Sequence, residues 1–255
     1  MFMFFVLAIQ MDFKESILDD SPGFEHYSKL ITKYHEYIET WDEIYKIHSN
    51  KNSIVYGILD DIKFNLIDTG YFTPQEMIRE LKKICKNRLR YRHAYLDLIN
   101  YISEDYHCKD SLDISDLLEY DNTIKNTYQE AILEDDERTL LQFLDSEDLN
   151  VSELLESCCL NGAVKCFNLL RSEFNVPITK KCLHNSFLGS NIDIIQECLD
   201  EQEIEEDAFK AVITTHDANL FTYLNLKYKT QFKLLNPQLL LFSCKCHDLR
   251  LFLNI

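Results

Sequence analysis

Leu155-Glu156-Ser157-Cys158-Cys159-Leu160-Asn161-Gly162-Ala163-Val164-Lys165-Cys166-Phe167-Asn168-Leu169-Leu170 reads as two short helices meeting at a glycine turn. Its second helix belongs to a register that returns along the chain. Leu140, Cys166, Ile194, Leu220 and Leu249 align at intervals of 26, 28, 26 and 29 residues, and four residues later come Leu144, Leu170, Cys198, Leu224 and Leu253. All of these are apolar. On the preceding helix the same register aligns Ile132, Cys158, Ser186, Val212 and Leu241, a small or apolar position. Helix pairs this short cannot bury their own apolar faces, so the pattern predicts a stack in which neighbours share one core, a helical solenoid.

Composition agrees with helices. Five glycines and four prolines in 255 residues are too few for the turns of a many-stranded sheet protein, and no sustained apolar–polar alternation runs the length of a strand. The expected fold class is all-α. A hydrophobic share of 46% with 12% aromatics excludes disorder throughout. The formal charge of −17 repels phosphate backbones and anionic bilayers, so neither nucleic acid nor membrane is an expected partner. Nine cysteines, an odd number at irregular spacings, read as reduced thiols packed in an intracellular, cytoplasmic protein.

Four domains of sequence follow. Residues 1–11 form an apolar leader without a basic start or cleavage site and too short to span a bilayer. Met11-Asp12-Phe13-Lys14-Glu15 reads as an ordinary polar start, so translation from Met11 would leave that leader out. Residues 12–110 are expected as a helical N-terminal domain. Its apolar stripe from Phe24 to Tyr45 predicts one long helix, with Trp41 and the tyrosines in the core. Ile54 to Leu66 predicts a second helix closed by Asp68-Thr69-Gly70, and Thr73-Pro74-Gln75-Glu76 a capping box opening a third. A fourth runs from about Tyr91 to Tyr106. Residues 111–126 lie in a stretch rich in acids and are read as a linker. Residues 127–255 hold four to five short repeats, with the acidic run from Asp200 to Asp207 as a solvated loop and helix start.

Asn161 to Leu170 resembles the turn between the inner and outer helices of an ankyrin repeat, with Gly162 at the turn and Leu169-Leu170 ending the outer helix. Together with Ile178 to Ile192, Thr215-His216-Asp217, Tyr34-His35-Glu36-Tyr37-Ile38 and Tyr91 to His107, it is similar to a large expanded group of trichomonad-type protist proteins. Those carry an N-terminal domain of unknown function fused to degenerate ankyrin repeats. The likeness implies protein recognition. The Thr-Pro-Leu-His opening of the standard repeat is missing from every unit, and the short spacing implies reduced or absent hairpin fingers. The end at Ile255 without a polar outer helix reads as a shortened member of the group.

No constellation reads as a catalytic, cofactor or metal site. Cys244-Lys245-Cys246-His247 is the most ligand-like run, yet no second cysteine pair stands at zinc spacing. Cys158, Cys159 and Cys182 lack a redox spacing, and no nucleophile elbow, phosphate loop or His-Glu-x-x-His helix occurs. Against the overall charge, Arg79, Lys82, Lys83, Lys86, Arg88, Arg90 and Arg92 crowd into 14 residues. Lys83, Lys86, Arg88 and Arg90 are therefore the candidates for binding an acidic partner, although cations also suit a helix C-terminus. The expected function is a scaffold or adaptor that binds an unidentified protein through the solenoid surface, with no small-molecule substrate and no enzymatic activity. The alternatives are a nucleic-acid-binding or regulatory protein using residues 79–92, and a shortened non-functional copy.

Overall fold

A computed structural model describes residues 23–108, 115–228 and 237–254. The leader, the choice between Met1 and Met11, and residues 111–114 of the expected linker lie outside the described residues, as does the side chain of Leu253. Every regular element described is a helix: α1 (Gly23–Lys33), α2 (His35–Tyr45), α3 (Asn52–Asp61), α4 (Pro74–Asn87), α5 (Arg92–Asp105), α6 (Ser115–Ile124), α7 (Tyr128–Glu134), α8 (Glu137–Ser146), α9 (Val151–Asn161), α10 (Val164–Ser172), α11 (Lys180–Gly189), α12 (Ile192–Glu201), α13 (Glu206–Ile213), α14 (Ala218–Tyr228), α15 (Pro237–Lys245) and α16 (Leu249–Asn254). The fold class is all-α. Two compact units share these helices. One takes the described residues of 1–82, 93–112 and 216–255, the other those of 83–92 and 113–215.

In the first unit the stripe expected as one helix is two, because Tyr34 leaves helical geometry at φ −111°, ψ 22°. No proline or glycine sits there. Tyr37, Ile38, Trp41, Ile44 and Tyr45 of α2, Met77, Ile78 and Leu81 of α4, and Tyr95, Leu98 and Ile102 of α5 are all buried. The Tyr95 hydroxyl, deep in that core, donates to the Ile44 carbonyl at 2.8 Å, which removes the cost of burying an unbonded phenol. The second expected helix also changes form. After Asp61 it widens into a π-helical turn over Ile62–Ile67, closed by Asp68 N–H to the Lys63 carbonyl at 2.8 Å. The wider turn buries both Leu66 and Ile67 and lets the Asn65 amide donate to Thr40 at 3.0 Å. The third start is as read: Glu76 N–H donates to Thr73 Oγ1 at 3.2 Å and Thr73 N–H to Glu76 Oε2 at 2.8 Å.

The segment expected as linker, 111–126, contains α6, whose Ile124 is buried. From there the second unit is built from helix pairs. The first helices α7, α9, α11 and α13 pack in that order, and so do the second helices α8, α10 and α12. Between the two helices of each pair one residue takes left-handed geometry: Asp135, Gly162 and Ser190 here, and His216 and His247 in the first unit. Four residues before each stands Ala131, Cys158, Ser186, Val212 or Ser243, every one small or β-branched and buried. That corrects the register at two positions: at the first, Ala131 takes the place expected for Ile132, although both are buried, and at the fifth Leu241 is 58% exposed and Ser243 holds the buried place. The interval before His247 is longer than the others, so an alignment by apolar residues slipped by two. Leu144 is half-buried, while Leu140, Leu170, Cys198, Leu220, Leu224 and Leu249 are buried as expected.

Two glycines let α9 and α11 approach closely. A Cβ on Gly189 would lie 2.1 Å from the Cys159 carbonyl oxygen, and one on Gly162 would lie 2.7 Å from that of Gly189. Neither contact has room for a methyl group. Gly162 also sits at φ +60°, where side chains are strained. Gly189→Ala is therefore expected to force α9 and α11 apart and cost about 1–3 kcal/mol. Leu170→Ala, which empties a site with no solvent exposure, should cost about 2–5 kcal/mol. Urea unfolding measures both, and a loss under about half a kcal/mol for either would contradict the packing.

Candidate functional site

Polar chemistry inside the first unit converges on Asp42, an acid on the buried side of α2. Its Oδ2 takes Arg250 Nη1 at 2.5 Å and Lys46 Nζ at 3.2 Å, and its Oδ1 faces His216 Nδ1 at 3.1 Å. Burial alone would raise this carboxyl. The hydrogen bond from His216 and the charges of His216, Lys46 and Arg250 outweigh it, and hold Asp42 below the ordinary carboxylate value. His216 Nε2 lies 2.7 Å from the Cys246 carbonyl oxygen. Both ring nitrogens thus face oxygen atoms.

The two left-handed histidines of this unit meet the same helix. His216 lies flat on Tyr45, centroids 4.1 Å apart, and His247 lies flat on Trp41 at 4.2 Å, with Glu80 Oε2 3.4 Å from its Nε2. Each is followed by an aspartate that caps the next helix. Asp217 accepts from Leu220 N–H at 2.9 Å, and Asp248 from Leu251 N–H at 2.9 Å. The repeated His-Asp dipeptide is the sequence signal for these turns. Nothing in the sequence marks Asp42 as the partner of His216.

Beside this cluster a pocket of about 560 Å³ opens between α2, α3 and the start of α16. Ile47, Ile54 and Ile58 supply apolar wall, and Gly57 of α3 lies on it with open space where a Cβ would stand. Glu39, Asp42, Glu43 and Asp61 line it with Lys46, His48 and Arg250. Burial, and then the charge and hydrogen bond of the Asp61 carboxyl, push Glu43 upward from its ordinary value. Sequence reading missed this pocket because its acids sit on different helices at unremarkable spacings.

The basic residues singled out by sequence are not gathered on one surface. Lys83 and Lys86 are exposed on α4, and the Arg88 guanidinium lies 5.5 Å from the centre of the Tyr91 ring. Arg90 is engaged within the second unit. Its Nη1 donates to the carbonyls of Gly162 at 2.8 Å and Asn161 at 3.2 Å, and its Nη2 lies 3.8 Å from Asp135. Asp135 has a second task. α10 begins at Ala163, which has no capping side chain, and Asp135 Oδ1 reaches across to accept from Lys165 N–H at 2.9 Å and Cys166 N–H at 3.1 Å. Arg92 is buried and donates to the Leu89 carbonyl.

Cys158, Cys159, Cys166, Cys182 and Cys198 are buried within the stack. The Cys159 thiol bonded to Cys182, opposed by burial and aided by Thr179, brings Cys182 down to about 6, while Cys159 is raised. Among the described residues no group of three or more His, Cys, Asp or Glu side chains is placed to hold a metal ion, and no helix is long and apolar enough to cross a membrane. Of the Cys244–His247 run, the Cys246 carbonyl receives His216 and the His247 ring covers Trp41.

On the second unit, α9, α11 and α13 carry a row of charges linked from helix to helix. Lys181 Nζ meets Glu156 at 2.8 Å, Thr179 donates to Glu156 at 3.1 Å, and Lys180 pairs with Glu205. His184 of α11 acts electrostatically on Asp207 of α13. The row continues from one pair to the next.

A family model described as Domain of unknown function (DUF3447) matches residues 174–255. The match begins in the loop after α10 and covers the last three helix pairs, rather than the N-terminal helices where the resemblance placed a domain of unknown function. No curated protein and no solved structure matches the chain.

Asp42 makes acid sensitivity predictable. Its folded carboxyl titrates below its unfolded value, so its contribution to stability is complete above the unfolded value near pH ~4 and is lost as pH falls through the folded value. Asp42→Asn leaves Arg250 without a full counter-charge and should cost about 3 kcal/mol at neutral pH. Urea unfolding of both proteins should show that gap shrinking in acid. A gap independent of pH would contradict the assignment.

Proposed function

We propose that the protein is a binding scaffold whose stacked pairs act as a short ankyrin-like solenoid and recognise another protein through the row of first helices. The continuous line of charges across α9, α11 and α13 carries this reading. Glu156, Lys181, His184, Glu205 and Asp207 come from three successive pairs yet stand close enough to interact. Mixed signs at short range favour a partner with a complementary charge pattern, a property that gives specificity and encounter rate. The family match over three pairs supports treating them as a unit, and membership of the protist group with degenerate ankyrin repeats is part of the same proposal. Electrostatic binding through residues 79–92 has less behind it, since Arg90 and Arg92 are engaged within the fold.

The test compares proximity labelling in the native cell by three proteins. They are wild type, Lys181→Glu/His184→Glu/Asp207→Lys on the first-helix row, and Lys165→Glu/Asn168→Lys on the exposed side of α10. Proteins labelled by wild type should fall about tenfold with the first variant, the effect of roughly 1.4 kcal/mol of lost affinity, and persist with the second. Thermal unfolding checks that both variants fold. Equal labelling by all three would refute the assignment of the surface.

A further inference from the structure

We propose that Asn161 and Gly162 form a gated site of self-modification: the pair is inert while Arg90 holds the turn, and once that hold is released the Gly162 nitrogen attacks the Asn161 side chain and converts it to a carboxylate. The site lies between α9 and α10 and stands whether or not the first-helix row binds a partner. Of the five glycines in the chain, Gly162 is the one that follows an asparagine. Having no side chain, it leaves the backbone nitrogen next to the asparagine amide unhindered. In the reaction the Gly162 nitrogen loses its proton and bonds to Asn161 Cγ, the bond from Cγ to Nδ2 breaks, and the amide leaves as ammonia. Water then opens the cyclic imide at either carbonyl. One opening gives aspartate, and the other gives isoaspartate, in which the backbone runs through the side chain. Water is the only co-reactant, and Asn161 is half-buried, within its reach.

The fold holds both reacting groups apart. Asn161 Nδ2 donates to the Ser157 carbonyl at 2.9 Å, which ties the side-chain amide back along α9. Arg90 Nη1 donates to the Asn161 carbonyl at 3.2 Å and the Gly162 carbonyl at 2.8 Å. The Asn161 carbonyl and the Gly162 nitrogen share one rigid peptide plane. That plane cannot swing toward Cγ without pulling its oxygen off the guanidinium, which Asp135 faces from 3.8 Å. The nucleophile has little other restraint, since Gly162 N–H reaches the Cys159 carbonyl only at 3.4 Å. Arg90 is therefore the gate. Isoaspartate would not fit the closed turn, because it lengthens the backbone where Gly162 and Gly189 meet without room for a methyl group. Conversion thus loosens the contact between α9 and α11.

Peptide mapping by mass spectrometry, following isoaspartate and aspartate at position 161 over time at mildly alkaline pH, tests this on the full chain. Wild type should convert slowly when folded and fast in guanidinium chloride. Folded Arg90→Gln, which lacks the charged donor pinning the peptide plane, should convert at least about tenfold faster than folded wild type. Arg90→Lys keeps one charged donor and should fall between them. It carries the comparison if thermal melting shows Arg90→Gln to be unfolded. Asn161→Gln, whose attack requires a larger ring, should release almost no ammonia at this position. Equal rates in folded wild type and the folded Arg90 variants would overturn the proposal, as would wild type converting no more slowly when folded than in guanidinium chloride.

Discussion

Three of the five described turns between paired helices are fastened by the same backbone bond, and the helices that follow depend on it. Asp136 N–H reaches the Ala131 carbonyl at 2.8 Å, Ala163 that of Cys158 at 3.0 Å, and Asp248 that of Ser243 at 3.0 Å. The bond spans a residue in left-handed geometry and satisfies a carbonyl that the helix end would otherwise leave open. It also fixes the direction in which the second helix leaves. With that angle set, short amphipathic helices can lie side by side and share a core none could form alone. The same bond, Cys108 N–H to the Ser103 carbonyl at 3.0 Å, ends α5 with His107 left-handed. The turn is thus not confined to the segment where apolar spacing revealed it.

What stands at the left-handed position decides what each turn does besides turning. Gly162 permits the close approach to Gly189. Asp135 caps a helix of the following pair and faces Arg90. His216 and His247 spread their rings over Tyr45 and Trp41. One backbone geometry therefore serves three kinds of contact, chosen by side chain. Asp42 completes the last of these by receiving His216 and Arg250, so that removing Asp42 would take the acceptor from both.

The helices of the distal half were legible because their signal is periodic and local: Cys166, Leu170, Ile194 and Cys198 recur at helix spacing and are buried. Register at the last pair was not, since Leu241 and Ser243 are both compatible with a helix and only tertiary packing chooses Ser243. The break at Tyr34 and the π-helical turn after Asp61 left no mark, because they arise from how several helices fit together rather than from a breaker residue. The pocket was hidden for the same reason. Glu43 and Asp61 are ordinary surface acids in sequence and become a pair only when α2 and α3 fold against each other. The cluster of arginines misled in the opposite way: Arg90 looks like part of a charged run, and its guanidinium is a brace for the Gly162 turn.

The bonds from Asp135 to Lys165 and Cys166 mean that the first full pair provides a terminus for the second. α10 starts at an alanine that could not close its own end. These pairs are consequently not interchangeable bricks. Excising residues around Asp135, or inserting a pair behind it, would leave two backbone donors at the head of α10 without their acceptor.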